Sequence, residues 1–219
     1  MNANQTEANL DPREKNEKSR SLKQVRLGVA IEFTGFVLIL LSIIAGPVIA
    51  IGKLPPTVHL VFRFVSLFGA ILMVLGPLIC LAVPEESGAR KILKASIGCK
   101  VVNVAAFIIG YFYAKSFGDV FQFILSIFSI LGFIFFISFM AKMALYIQSR
   151  KLQTEAHGYF ALTVCLLIGY IFIMIGAFFG IMIGAILVPI VALWMAIIYI
   201  KLLAKLWIAL SPKNGFQTR

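Results

Sequence analysis

Five ionisable side chains lie inside long apolar stretches of this 219-residue chain: Glu32, Lys100, Lys142, Lys201 and Lys205. A charge among apolar neighbours either serves chemistry or transport at depth, or sits near a helix end and extends its head to water. A helical wheel at 100° per residue separates these cases. Glu32 shares its side with Gly28, Gly35, Ser42 and Gly46, a stripe of small residues of the kind that lets helices approach closely in membranes. It is therefore expected to point inward, where a lone carboxylate must be protonated, hydrated or paired. Asn103 is the polar companion expected for it. As an amide among apolar residues, Asn103 can hydrogen-bond between helices.

The lysines read differently. Lys142 falls with Ile124, Phe128, Leu131 and Phe135; Lys205 with Trp194 and Ile198; Lys100 with Val104, Phe107 and Tyr111, with Ala105 and Ala106 turned away. Bulky faces suit lipid, so Lys100, Lys142, Lys201 and Lys205 are expected as interfacial contacts to headgroups. Glu32 and Asn103 are then the candidate intramembrane polar site, as a structural ion pair or hydrogen bond or as a transport site.

No catalytic constellation accompanies them. The chain has no HExxH, no GxSxG, no phosphate-binding glycine loop and no suitably paired carboxylates. His59 and His157 fall in loops on opposite sides of the expected topology and cannot share a metal. Cys80, Cys99 and Cys165 have neither disulfide nor zinc spacing and read as small apolar residues; Cys80 and Cys99, near one membrane face, leave acylation as the alternative. No cofactor, no metal and no enzymatic activity are expected.

The elements that must position these residues follow from composition. The chain is 61% hydrophobic and 13% charged, with a mean hydropathy of +0.99. Soluble domains carry about a quarter charged residues, so the expected class is an all-α, polytopic membrane protein. Six spans are expected, at about 29–51, 61–83, 97–114, 121–147, 159–181 and 187–210, forming one transmembrane domain over 25–210. The 42 uncharged residues from Tyr159 to Ile200 are too many for one crossing and suit two. Their turn is expected near Gly180–Val188, with Pro189 in the first turn of the sixth helix. Gly76-Pro77 marks a kink or loosening of the second. Residues 1–24 read as a largely disordered polar tail, perturbed at most by nascent helix, and 211–219 as a short C-terminal tail.

Thirteen Lys and Arg fall in the two tails and the 2–3 and 4–5 connections, against Lys53 and Lys115 in the opposite loops and Arg63 just inside the second span. The positive-inside rule then places both termini in the cytoplasm of a cell or inner membrane. The net charge of +11 is spread over helix ends, which points to anionic headgroups on the cytoplasmic side and not to nucleic acid. Small-residue helix faces, including Gly176, Gly180 and Gly184, offer a route to a homo- or hetero-oligomer, although turn glycines explain that last trio equally well.

Similar runs at offsets of about 60 residues (Ala141-Lys142-Met143 and Ala204-Lys205-Leu206; Ile109-Gly110-Tyr111 and Ile168-Gly169-Tyr170) suggest a bundle built from hairpin repeats. Apolar helices leaving into a basic cytoplasm look alike without any repeat. Two function classes remain. One is a structural, assembly or lipid-organising bundle; the other is a small transporter or channel built on Glu32 and Asn103.

Overall fold

The computed structural model describes residues 12–52, 55–112, 119–178 and 184–211. These form six α-helices: α1 Pro12–Ile51, α2 Pro56–Cys80, α3 Arg90–Phe112, α4 Asp119–Tyr146, α5 Arg150–Phe178 and α6 Gly184–Ala209. Each packs against its neighbour in sequence, and α6 returns to α1, closing the bundle. Three stretches, Asn16–Ala45 of α1, Thr57–Cys80 of α2 and Ile124–Tyr146 of α4, are long and apolar enough to cross a bilayer. The other three helices occupy the places expected for the third, fifth and sixth spans.

One spacing recurs on five helices. Buried positions alternate three and four residues apart, which keeps them on one face of a helix turning every 3.6 residues. On α1 they are Leu22, Val25, Val29, Glu32 and Phe36. On α3, extended by the residue before it, they are Ala89, Leu93, Ser96 and Lys100. On α6 and the residue after it they are Ala196, Tyr199, Leu203, Leu206 and Leu210. From α2 into the following turn they are Gly69, Met73, Gly76, Cys80 and Val83. On α4 they are Gly132, Phe136, Phe139 and Met143.

The α1 stripe begins well inside the stretch expected to be disordered. Residues 12–24 are helical and continuous with the apolar part of α1; residues 1–11 lie outside the described residues. Average polarity hides the reason. Leu22 and Val25 are buried between exposed Arg20, Lys23 and Gln24, Ser21 donates a hydrogen bond to the Ala82 carbonyl, and the Lys18 ammonium lies 5.1 Å from the Tyr146 ring. The helix is held at its polar end by tertiary contact.

Glycines set the α1–α2 spacing. The helices run antiparallel, with Gly28 facing Gly76 and Gly35 facing Gly69. A Cβ on Gly28 would lie 2.6 Å from the Gly76 carbonyl oxygen, and one on Gly35 2.7 Å from that of Gly69. Both are backbone atoms, which cannot swing away. This contact uses the small-residue face of α1 inside the chain. α2 continues past Gly76-Pro77 to Cys80, with Pro77 fully buried in its last turn. Pro189 sits in the second turn of α6, because that helix is already under way at Gly184. Of the Gly176–Gly180–Gly184 trio, Gly180 lies outside the described residues.

Two connections are compact. Between α2 and α3, Ser87 Oγ donates to the Pro84 carbonyl at 2.7 Å, and Gly88 takes φ +61°. Between α4 and α5, Gln148 N donates to the Leu145 carbonyl and Ser149 N to that of Ala144, at 3.0 and 2.9 Å. This is a Schellman cap with Gln148 at φ 56° in the position usually taken by glycine.

The glycine contact yields a paired test. Gly76→Ala is expected to destabilise the bundle by about 1–3 kcal/mol through overpacking. Gly98→Ala on α3, where nothing lies within 4 Å of an added Cβ, is expected to be neutral or stabilising by up to about 1 kcal/mol. Thermal unfolding in one mild detergent compares the two.

Candidate functional site: a buried carboxylate shared by three helices

Glu32, Lys100 and Tyr199 occupy stripe positions on α1, α3 and α6, and the fold brings them together. The Lys100 ammonium donates to Glu32 Oε1 in a buried ion pair, and the Tyr199 hydroxyl donates to the same oxygen at 2.8 Å. Glu32 is fully buried, Tyr199 4% exposed and Lys100 7% exposed, so solvent screens none of these contacts. Glu32 Oε2 is also buried and has no hydrogen-bond partner among the described residues.

Aromatic rings enclose the pair. Phe36, Phe133 and Tyr199 stack edge to face, with centroids 4.8 to 5.6 Å apart. The Lys100 ammonium stands 4.5 Å from the centre of the Phe136 ring, whose negative face shares the cation with the carboxylate. Ser96, one turn before Lys100, donates to the Gly132 carbonyl at 2.9 Å and fixes α3 on α4. At Gly132 a Cβ would stand 3.4 Å from Lys100 Cγ, so the lysine stem runs directly over this glycine.

Lys100 is therefore not an interfacial residue; its expected place among headgroups is corrected. The bulky residues that share its side, Val104, Phe107 and Tyr111, all follow it in sequence. The inward stripe runs the other way, through Ser96, Leu93 and Ala89. Asn103 does not bond Glu32 either: its amide donates to the Cys99 carbonyl of its own helix at 3.0 Å. The carboxylate takes its partners from Lys100 and Tyr199. A signal for Tyr199 was present in the spacing of Ala196, Tyr199, Leu203 and Leu206, together with the need of a buried phenol for a partner.

Lys142 and Lys201 are exposed. Lys205 is exposed as well and meets Glu155 of α5 at 2.5 Å, an ion pair of the surface kind that contributes little. Among the described residues no cluster of His, Cys, Asp or Glu could hold a metal. Cys80 is buried, with Sγ 3.5 Å from the Val25 carbonyl, Cys99 is half-buried and Cys165 is exposed.

The chemistry open to the cluster is limited and specific. Carboxylate and ammonium form a unit with no net charge, held away from water. A proton moving from Lys100 to Glu32 would neutralise both without changing that sum. Beside the pair is a cavity of about 390 Å³, lined among the described residues by α1, α2, α3, α4 and α6, with Lys100, Asn103 and Ser129 as the polar groups among them. No family model, curated protein or solved structure matches this chain.

Removing one partner of a buried pair leaves the other charge uncompensated, so Lys100→Met is expected to cost about 3–5 kcal/mol. Adding Glu32→Leu in the same chain is expected to restore most of that loss. A double-mutant cycle on thermal unfolding in detergent measures the coupling; strictly additive losses would contradict the pairing.

Proposed function

We propose that the chain is a six-span integral membrane protein with both termini in the cytoplasm, serving as a structural, assembly or lipid-organising bundle and not as an enzyme. The observation that carries this reading is the tie that the buried carboxylate makes between three helices. Glu32 spends its charge on Lys100 and Tyr199, which joins α1, α3 and α6. Transport sites are typically built from interrupted helices, whereas Glu32, Lys100 and Tyr199 lie within the continuous helices α1, α3 and α6.

The surface supports a bilayer setting. Ile43 is 64% exposed, Phe64 60%, Phe68 56% and Trp194 52%. Apolar exposure spread over α1, α2 and α6 suits lipid and not water. α1, with 40 residues, is ~60 Å long at 1.5 Å per residue, about twice the thickness of a hydrocarbon core. Its polar first half would lie at the cytoplasmic face, where exposed Lys23, Lys91, Lys94, Lys142 and Lys201 would meet anionic headgroups at about 1 kcal/mol each.

The second reading is a small transporter or channel with Glu32 and Asn103 as its polar site. What favours it is the cavity that Asn103 shares with Lys100. Glu32→Gln separates the two. In proteoliposomes it should leave proton and cation flux at the wild-type level while lowering the unfolding temperature; loss of an existing flux with an unchanged unfolding temperature would favour transport. Topology has its own test in a cysteine-free background. Lys115→Cys should react with an impermeant maleimide added outside intact cells and Lys151→Cys should not; the reverse pattern would overturn the orientation.

A further inference from the structure

We infer that the cavity beside the ion pair binds one neutral, largely apolar molecule through a carbonyl oxygen, as in an ester, with Lys100, Asn103 and Ser129 as the donors. Its volume, about 390 Å³, lies within the ~300–1,000 Å³ range of small-molecule pockets. Its walls combine a few convergent polar groups with an apolar majority, the pattern that orients a ligand by one end.

The polar end is rich in spare donors. Lys100 carries three N–H groups, of which one serves Glu32. Asn103 uses one amide N–H on the Cys99 carbonyl and keeps the other. The Ser129 hydroxyl has no hydrogen-bond partner among the described residues. An acceptor oxygen meets this set. A carboxylate does not, because Glu32 has already neutralised Lys100, and a second anion beside it would be left uncompensated. Water can satisfy the donors at the polar end, but it gains nothing from the walls of Phe36, Met73 and Phe133, which suit an apolar body attached to the acceptor oxygen.

The route of entry follows from the rim. Ile43 and Ile44 on α1 and Leu193 on α6 line the cavity and are 64%, 51% and 45% exposed. Its edge thus reaches the apolar outer surface of the bundle, where a molecule dissolved in the hydrocarbon core can enter sideways. Neutral carbonyl groups reach that depth either as free neutral lipids or as the acyl esters of a phospholipid.

The test uses the full chain in detergent micelles, so its outcome is independent of the flux and topology measurements above. Methyl laurate and laurate share a twelve-carbon chain and differ in the charge of the head. Titration by native mass spectrometry and thermal unfolding is expected to show one saturable equivalent of the ester and at least tenfold weaker binding of the carboxylate. Ser129→Ala should weaken the ester about fivefold, as one lost hydrogen bond does. Ala70→Phe and Ala196→Phe, which fill the cavity from α2 and α6, should abolish binding.

Laurate binding as tightly as the ester, unchanged ester binding in a folded filled variant, or no saturable ester binding to the wild type would each overturn the inference. If neither filled variant folds, the ester–carboxylate comparison and Ser129→Ala decide it alone. Solvent extraction of the purified protein tells the two sources apart: one equivalent of a neutral lipid, or one of phospholipid.

Discussion

A carboxylate in an apolar interior cannot be left alone, and the arrangement around Glu32 follows from that constraint. Its partners are 68 and 167 residues away in sequence, so they arrive only when α3 and α6 stand at the right height against α1. A slide of one turn along any of the three helices would move a partner by ~5.4 Å and strand a charge. Apolar side chains tolerate such a slide far better, since contact between them is not directional. Replacing a buried pair with well-packed apolar residues is often neutral or stabilising. What the pair adds beyond apolar burial is direction: the carboxylate meets both partners only at one relative height of the three helices.

The glycine contact between α1 and α2 prepares this geometry. A Cβ on Gly76 would lie 2.8 Å from Glu32 Cβ and from the Glu32 backbone nitrogen. At that distance α2 leaves no room beside Glu32 for a side chain of its own. The carboxylate is turned toward α3 and α6, where Lys100 and Tyr199 can reach it. The rings of Phe36 and Phe133 pack against Tyr199, and that of Phe136 lies against the ammonium. The pair is thus flanked by backbone packing on one side and aromatic packing on the other.

Much of this was legible in the residues. The side of α1 bearing Gly28 and Gly35 pointed Glu32 inward, because only small residues permit so close an approach. The apolar runs located the helices, and the outward faces read for Lys142 and Lys205 agree with their exposure. Two of the readings that failed did so for related reasons. Composition averaged over residues 1–24 hid Leu22 and Val25, which recur at helical spacing and continue the buried stripe. At Lys100, the residues that mark its inward face precede it in sequence, where basic Arg90, Lys91 and Lys94 dominate the impression.

By itself, the sequence determined the helical class, the apolar stretches long enough to cross a bilayer, and the need of Glu32 for a partner. Those properties belong to single segments: periodicity, length and the cost of burying one charge. The identity of the partners was decided by the tertiary structure. Lys100, Lys142 and Lys205 are the same residue in similar apolar surroundings, and only the rotation and height of each helix separates a buried counter-ion from a surface charge. Those two quantities depend on every neighbouring helix at once, which is why no local pattern contained them.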